Sequence, residues 1–423
     1  MNEATPAAAK ERGGKLTYDF YRRRLFDALS RIETGRLSVT ENGLVSRFGP
    51  DDSVTAAIEI TDPVFYREVG LSGGLGAAES YMNDHMRCAD LTALVRLFII
   101  NERVLDGIDG TLARPKRWLR DAFRFMAKNT RRGSRRNIAA HYDLGNDLFR
   151  LFLDENMMYS SAVYRDENTD LDSAASYKNH LLCRKLDLSP DDHLLEIGTG
   201  WGGFAIQAAR DYGCRVTTTT VSAEQYKLAC ERVAAAGLED RITLLECDYR
   251  DLTGQYDKLV SIEMLEAVGH EYYDTYFAKC SELLRDDGLM CLQAITMNEQ
   301  NYVNAREHVD FIKKYIFPGG CLPSIGAICQ SLGKVTDLNV MHVTDIADHY
   351  ARTLRDWGDR FAATLDRVRA QGYDERFVRM WRYYLHYCEA AFIERVIGNV
   401  QMVLFKPRNR RAAIVAHTLI ETP

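Results

Sequence analysis

The 423-residue sequence has little proline, no paired cysteine motif and no long apolar run. Only 9 prolines and an ordinary 27% of charged residues exclude a disordered or fibrous chain. The 10 cysteines include no CxxC pair and no Cys/His cluster at zinc-ligand spacing, so we expect reduced thiols and no metal site. The longest apolar stretch, near Leu91–Ile100, is too short to cross a bilayer, and residues 1–15 lack the apolar core of a signal peptide. These absences predict a cytoplasmic protein.

The sequence also lacks net positive charge, but its charge is unevenly distributed. The formal charge of -6 argues by itself against nucleic acid or an anionic membrane as partner. Residues 114–136, however, hold ten Lys or Arg against Asp121 alone, so this segment carries +9 and the other 400 residues carry -15. The apolar residues among them recur at spacings of three and four, which is typical of an interfacial amphipathic helix. They are Trp118, Leu119, Ala122, Phe123, Phe125 and Met126. A solvated helix between domains is the alternative interpretation.

Length and pattern together predict two domains joined by this basic segment. A chain of 423 residues exceeds what one hydrophobic core usually serves. Residues 1–110 mix helical patterns with strand-like alternation at 55–60, which predicts a small α+β accessory domain. Residues 111–137 then form a basic amphipathic linker, and residues 138–423 form a larger domain with a helical insertion at 296–398.

Strand-like and helical segments alternate from residue 191 onward. The predicted strands are 193–197, 215–220, 241–246, 257–262, 288–295, 399–405 and 412–418. Helical patterns separate them, as at 223–236 and 272–284. Because parallel strands need crossovers of this length, the alternation predicts an α/β fold with a doubly wound, mostly parallel sheet of seven strands.

A glycine-rich turn follows the first of these strands, at residues 198–203. Glycines there let the chain turn tightly and let a ligand approach the backbone. The spacing also satisfies the GxGxxG pattern of dinucleotide sites, but such a site needs an acidic residue about 20 positions further on, where this sequence has threonines. Glu196 instead precedes the glycines and suits a cationic ligand. We therefore expect a nucleoside-sulfonium ligand rather than NAD, with a purely structural turn as a third interpretation.

Eight motifs occur in an order that matches one enzyme family. They are HYDLGND at 141–147, YSSA at 159–162, EIGTGWGG at 196–203, VSAEQ at 221–225, DYRDL at 248–252, EMLEAVG at 263–269, YIFPGGCLP at 315–323 and YYLHYC at 383–388. Residues 137–406 thereby closely resemble the cyclopropane-fatty-acid synthase family, class I S-adenosylmethionine-dependent methyltransferases that modify double bonds in lipid acyl chains. Residues 16–110 resemble the smaller N-terminal domain of the longer bacterial members.

The resemblance implies which residues surround S-adenosylmethionine. The cofactor-binding set is Tyr159, Ser160, Glu196, Gly198, Gly200, Gly202, Thr220, Gln225, Tyr249 and Arg250. Thr220 and Gln225 supply neutral hydrogen bonds suited to a ribose, and Tyr249 supplies an aromatic face for adenine. A core tyrosine is the alternative interpretation of Tyr249.

The chemistry of the family requires a base in a dry pocket. An alkene that takes up a methyl group becomes a carbocation, which must be stabilised and then lose a proton. In the family a bound bicarbonate is that base, and the resemblance places its ligands at five positions: Ser161, Glu266, Gln293, Tyr350 and Ile295. Ser161 stands where the family has Cys. Gln293 stands where it has His, and a glutamine can donate a hydrogen bond but cannot titrate.

These departures leave three routes open. Bicarbonate still binds and Glu266 accepts its proton, or Glu266 is itself the base, or the proton leaves another carbon after a hydride shift and yields a methyl-branched or methylene chain. For Glu263, three positions earlier, we favour a helix N-terminal carboxylate stabilised by the helix dipole. Cys388 occupies a position formerly treated as the catalytic nucleophile of the family, and there we expect a structural thiol.

The resemblance implies transfer of one carbon from S-adenosylmethionine to an unsaturated acyl chain of membrane phospholipid, giving a cyclopropane or methyl-branched chain. Residues 315–323 are then a mobile apolar cover for that acyl chain, and packing within the core of the insertion is the alternative interpretation. A small-amine N-methyltransferase is the first alternative, and a non-enzymatic membrane-binding protein is the second. We expect a homodimer at the inner face of an anionic membrane, without nucleic acid as partner.

Salt-sensitive binding to anionic vesicles tests the basic segment. Neutralising four arginines near its end should weaken that binding, because each basic residue near an anionic surface contributes about 1 kcal/mol that salt screens. The substituted residues are Arg131, Arg132, Arg135 and Arg136. Co-sedimentation with vesicles at low and high salt measures the effect, and binding equal to that of the unmodified chain would refute it.

Overall fold

The computed structural model describes residues 6–102, 130, 133 and 144–412. The predicted basic linker at 111–137 lies outside the described residues, apart from Thr130 and Gly133, and so does the predicted strand at 412–418, apart from Ala412. Contacts divide the chain into two units. Residues 1–122 and 365–394 form the N-terminal unit, and residues 123–364 and 395–423 form the catalytic unit.

The described helices and strands are numbered here in chain order. The helices are α1 (Pro6–Leu29), α2 (Val64–Met82), α3 (Leu91–Ile100), α4 (Asn146–Phe149), α5 (Leu171–Leu186), α6 (Gly203–Tyr212), α7 (Ala223–Ala235), α8 (Leu265–Val268), α9 (Tyr273–Leu283), α10 (Glu299–Glu307), α11 (Ile325–Val335), α12 (Ala347–Ala363), α13 (Leu365–Ala370) and α14 (Glu375–Ile393). The strands are β1 (Arg36–Glu41), β2 (Leu44–Phe48), β3 (Thr55–Ile60), β4 (Met86–Cys88), β5 (His193–Ile197), β6 (Arg215–Thr220), β7 (Ile242–Glu246), β8 (Tyr256–Ile262), β9 (Leu284–Met297), β10 (Asn339–Asp345) and β11 (Ile397–Phe405).

The N-terminal unit contains a four-stranded mixed sheet in the order β2-β1-β3-β4. Strand β3 shows why the sequence forms it: exposed and buried residues alternate without exception, so one face of the strand is apolar. Helix α3 begins where Asp90 accepts a hydrogen bond from the N–H of Ala93 at 2.8 Å, which satisfies one of the free donors of the first turn.

Residues 365–394 differ from the predicted domain boundaries. The sequence placed them in an insertion of the larger domain, whereas their contacts group them with the N-terminal unit. Arg96 of α3 pairs with Glu394 at 2.6 Å, and Thr92 donates to the buried Glu389 at 2.7 Å. Periodicity identifies such helices but carries no information about which surface they pack on, and this is why the boundary was misplaced.

The catalytic unit is built on a seven-stranded sheet in the order β10-β11-β9-β8-β5-β6-β7. Neighbouring strands from β9 through β7 run parallel, and β11 pairs antiparallel with both β9 and β10. The predicted α/β fold with a mostly parallel seven-stranded sheet is thus confirmed. One element was predicted wrongly: the segment 296–398 is not wholly helical, because it contains the edge strand β10.

Helices cover both faces of this sheet, and each face has its own apolar core. Side chains of α9 and α11 fill one face around Phe277 and Ile328, while α5, α6 and α7 fill the other around Leu182, Phe204 and Val233. Strands β5 and β6 are buried along almost their whole length, as expected of parallel strands with helices on both sides. Within the described ranges, no helix is long and apolar enough to cross a membrane.

Candidate active site

A cavity opens at the carboxyl ends of β5, β6 and β8, where ligands bind in folds of this kind. Nine of the ten predicted cofactor-binding residues line it: Tyr159, Ser160, Glu196, Gly198, Gly200, Thr220, Gln225, Tyr249 and Arg250. The tenth, Gly202, is the N-cap residue of α6 and has a φ of 84°. The structure therefore brings the predicted set together around one space.

The turn between β5 and α6 depends on glycine at two positions. Gly198 has a φ of 106°, which L side chains rarely adopt, and its N–H donates to the carbonyl of Thr219 at 3.1 Å. At Gly203 a Cβ atom would lie 2.3 Å from the carbonyl oxygen of Asn156. The turn can therefore bring bare backbone against a ligand in the cavity.

Behind the turn, the carboxyl of Glu196 is buried beside a buried lysine. Its Oε2 accepts a hydrogen bond from Thr218 at 2.6 Å, and burial raises the pKa of Glu196 to about 8. Lys178 has no exposed surface, and its Nζ donates to Ser160 at 3.1 Å. Burial lowers the pKa of Lys178 to about 8, opposed by the negative charges of Glu263, Asp154 and Glu196.

Polar and aromatic side chains complete the wall of the cavity. Thr220 donates to the carboxamide oxygen of Gln225 at 3.0 Å. Arg250 donates to the buried carboxylate of Asp248 at 2.6 and 2.8 Å, which fixes the short turn that carries Tyr249. The ring of Tyr159 packs among aromatic side chains, with centroids 5.2 Å from Phe149 and 5.3 Å from Trp357.

The carboxylate of Glu263 is held by four donors in this wall. Its Oε1 accepts from the N–H of Ser161 at 3.0 Å, from Nε2 of Gln293 at 2.8 Å and from Nδ2 of Asn399 at 2.6 Å. Its Oε2 accepts from the hydroxyl of Tyr350 at 2.7 Å. Glu263 directly precedes Met264, the N-cap of α8, so it lies at a helix N-terminus as predicted, but its carboxylate is held by these four donors and not by N–H groups of α8.

The backbone at Glu263 is strained. Its φ of 50° lies in the left-handed region, which is uncommon for residues with a side chain and marks functional sites more often than others. The N–H of Glu263 donates to the carbonyl of Gln293 at 2.7 Å, which holds this conformation at the end of β8. The strain aims the carboxylate at the donors and at the cavity that Glu263 lines.

Glu266 lies one helical turn further on, on α8. Its Oε1 accepts from the N–H of Ile295, and its buried Oε2 has no hydrogen-bond partner among the described residues. Burial, together with the negative charge of Glu263, raises the pKa of Glu266 to about 8. The N–H of Cys321 donates to the carbonyl of Glu266 at 2.8 Å, so the predicted loop 315–323 contacts the site through its backbone.

The five predicted bicarbonate ligands come together, but around carboxylates of the chain itself. Ser161, Gln293 and Tyr350 donate to Glu263, and Ile295 donates to Glu266. A bound anion would face the carboxylate of Glu263 and find the donors of these residues already engaged, which is unfavourable. These residues therefore do not fit bicarbonate.

Cys388, the remaining predicted catalytic residue, lies on α14 in the N-terminal unit and not among the residues of the cavity.

Sequence reasoning missed two functional candidates in particular, Glu263 and Asn399. Asn399 and Gln401 are two polar residues at alternate positions of a strand that is otherwise mostly apolar and buried. Polar residues on one face of a buried strand need partners, and that pattern was the available signal. For Glu263 the signal was its position at the carboxyl end of a parallel strand.

The fold, the glycine turn and the buried carboxyl behind it define a class I S-adenosylmethionine-dependent methyltransferase. The family model for mycolic acid cyclopropane synthetase matches residues 129–402. The chain belongs to this family.

Three relatives illustrate the similarity. The chain is 40% identical over 351 residues to tuberculostearic acid methyltransferase UfaA1 of Mycobacterium tuberculosis, covering 80% of this chain and 81% of that protein. It is 38% identical over 371 residues to cyclopropane-fatty-acyl-phospholipid synthase of Escherichia coli strain K12, covering 86% and 91%. The crystal structure of mycolic acid cyclopropane synthase CmaA1 with SAH and CTAB matches with a TM-score of 0.60 and 31% identity, covering 64% of this chain and 98% of that one. The resemblance seen in the sequence is confirmed, and SAM-dependent transfer to lipid acyl chains is the activity that these relatives support.

The raised pKa of Glu266 predicts a pH-dependent stability difference. Because the folded protein binds this proton more tightly than the unfolded chain, the resulting stabilisation is present below about pH 4.5 and is lost as the pH rises towards about 8. Glu266→Gln stays neutral throughout. Its free energy of unfolding, relative to the unsubstituted protein, should rise by at least about 1 kcal/mol between pH 5.5 and pH 8.5.

Urea denaturation at the two pH values measures this difference. The exposed Glu231 of α7 provides the matched control. The free energy of unfolding of Glu231→Gln should differ from that of the unsubstituted protein by the same amount at both pH values. If the difference in unfolding free energy between Glu266→Gln and the unsubstituted protein does not vary with pH, folding does not raise the pKa of Glu266.

Proposed function

We propose that the protein transfers one carbon from S-adenosylmethionine to the double bond of an unsaturated acyl chain of membrane phospholipid, giving a cyclopropane or methyl-branched chain. The observation that carries the proposal is the carboxylate of Glu263, fixed by four donors in the wall of the cofactor cavity. A fixed anion beside the reacting carbons is what an alkene needs when it becomes a cation. Relatives of 38 and 40% identity, named for fatty acyl substrates, support the substrate class.

The residues of the cavity fit S-adenosylmethionine, which supplies an electrophilic methyl group when bound. Thr220 and Gln225 offer hydrogen bonds for a ribose, and Tyr249 offers a ring face for adenine. The carboxyl of Glu196, which lines the cavity, and the close approach allowed by Gly198 suit the amino-acid end of the molecule, whose ammonium group donates hydrogen bonds. Tyr159 and its aromatic neighbours exclude water from the reacting side.

Glu263 takes the role that bicarbonate has in the family. Once the substrate has gained the methyl group, its new positive charge faces a carboxylate that needs no reorganisation, because Ser161, Gln293 and Tyr350 already hold it. Glu263 then accepts a proton from the substrate. Loss of that proton from the added methyl closes a ring, whereas loss from a chain carbon after a hydride shift leaves the added carbon as a branch.

The alternative function, methylation of small amines, has less support. Coclaurine N-methyltransferase matches with a TM-score of 0.61 but only 19% identity, and that similarity extends to the fold alone. For the basic segment 114–136 we propose peripheral binding to the cytoplasmic face of an anionic membrane, as its charge of +9 suggests. We further propose a homodimer, by resemblance to family members that have the N-terminal domain.

Product analysis tests the proposed reaction. The protein, incubated with methyl-labelled S-adenosylmethionine and unsaturated phospholipid vesicles, should add one labelled carbon to an acyl chain. Mass spectrometry of the fatty esters detects the mass increase, and the fragmentation pattern distinguishes a ring from a branch. No added carbon on any acyl chain, or efficient methylation of soluble amines without lipid, would contradict the proposal.

Removal of bicarbonate tests the role of Glu263. Activity in degassed, bicarbonate-free buffer should equal activity with added bicarbonate, because the chain supplies the anion itself. Glu263→Gln should lower kcat by about 100-fold or more, a typical effect of losing a positioned acid or base. Its Kd for S-adenosylmethionine should change little in a calorimetric titration.

Two results would argue against this role. One is activity that depends on bicarbonate in the unsubstituted protein. The other is a Glu263→Gln variant that retains its full rate with native cofactor affinity.

A further inference from the structure

Lys185 is a buried lysine without an acidic partner. It lies in the last turn of α5 with 2% of its surface exposed, and no carboxylate among the described residues lies within ion-pair distance of its Nζ. A buried charge that lacks a counterion is costly to the fold. Its hydrogen-bond partners are the hydroxyl of Thr344 at 2.9 Å and Oε1 of Gln401 at 2.7 Å.

A series of hydrogen bonds between buried side chains leads from Lys185 to the carboxylate of Glu263. Nε2 of Gln401 donates to Oε1 of Gln293 at 2.9 Å, and Nε2 of Gln293 donates to Oε1 of Glu263 at 2.8 Å. Both glutamines are fully buried. The register of the sheet places them side by side, because Gln401 of β11 is the direct cross-strand partner of Gln293 on β9.

The ammonium group of Lys185 determines which atom donates and which accepts in each hydrogen bond of this series. An ammonium only donates hydrogen bonds, so the atom of Gln401 that faces Lys185 must be its oxygen. The amide nitrogen of Gln401 then faces Gln293, whose oxygen must accept and whose own nitrogen is left to face Glu263. With both amides reversed, the carboxamide oxygen of Gln293 would lie against a carboxylate and repel it.

We propose that Lys185 is a positioning residue that orients the amides of Gln401 and Gln293, so that Gln293 presents an N–H to the carboxylate of Glu263. The proposal rests on the catalytic role proposed for Glu263. It explains why α5 keeps a buried lysine beside two buried amides of the sheet. A neutral residue at position 185 would remove the constraint at one end, so that only the carboxylate of Glu263 and the carbonyl of Ser161 would orient the amides.

Kinetics of two variants test the proposal. Lys185→Met removes the donor, and Gln401→Glu keeps an acceptor for Lys185 but offers no amide N–H to Gln293. Each should lower kcat on phospholipid by about 10-fold or more, as expected when a hydrogen bond to a charged group is lost. The Kd for S-adenosylmethionine should stay within about twofold, because neither residue lines the cavity.

Lys406 provides a matched control in the same unit. It is also buried, at 7% exposure, but its Nζ binds Asp337 at 2.6 Å and Ser281 at 3.1 Å, away from Glu263. Lys406→Met should lower the melting temperature without changing kcat. If Lys185→Met and Gln401→Glu behave in the same way, with unchanged kcat, the role of Lys185 is structural and the proposal is wrong.

A double substitution tests whether Lys185 acts through Gln401. In a Gln401→Met background the series of hydrogen bonds from Lys185 to Glu263 is already broken, so adding Lys185→Met should lower kcat no further. If the two substitutions lower kcat additively, Lys185 acts by a route that does not pass through Gln401, and the proposal is wrong.

Nuclear magnetic resonance separates this inference from the proposed reaction. In protein labelled with ¹⁵N-glutamine, the side-chain amide signals of Gln293 are assigned by their loss in Gln293→Met. They should shift in Lys185→Met and stay in place in Lys406→Met, whether or not the protein modifies a lipid. Unchanged Gln293 signals in Lys185→Met would refute the inference, whereas an unsubstituted protein that modifies no lipid would refute the proposed function alone.

Discussion

The geometry of the catalytic unit depends on one requirement: the partly buried carboxylate of Glu263 must be compensated. Its four donors come from the loop at Ser161, from β9, from β11 and from α12. Elements that are far apart in sequence are therefore joined at one charged group. Since an unpaired charge in a partly buried position is unfavourable, these hydrogen bonds also fix the wall of the cavity that Glu263 lines. The carboxylate of Glu263 therefore both suits the proposed chemistry and fixes the positions of the residues that hydrogen-bond to it.

Much of the fold follows from local sequence. The predicted bounds of β5 and β6 coincide with those of the structure, because each is a short run of apolar or β-branched residues between flanking turns and helices. The glycine turn was predictable because it follows the first parallel strand, whereas the set of cofactor-lining residues was implied by the resemblance to the family. Topology explains why Gly198, Thr220 and Tyr249 meet, because the ends of parallel strands gather at one edge of the sheet.

Other features depend on contacts that no local pattern reveals. Glu263 was interpreted as a helix-terminal carboxylate because its donors are contributed by distant segments. Strand β10 has exposed residues along most of its length, as an edge strand does, and its apolar signal is weak. Lys185 lies among residues typical of any amphipathic helix end, and only the pairing of β9 with β11 shows what its ammonium group faces.

The return of α14 to the N-terminal unit has a consequence for synthesis on the ribosome. Tyr81 of α2 and Tyr383 of α14 pack with ring centroids 6.0 Å apart, and Arg379 of α14 pairs with Asp84 at 2.6 Å. These partners emerge long after α2 and α3, when most of the catalytic unit has already been made. The contacts that complete the N-terminal unit can therefore form only after residues 123–364 have been synthesised. In this protein the order of synthesis differs from a simple succession of finished domains.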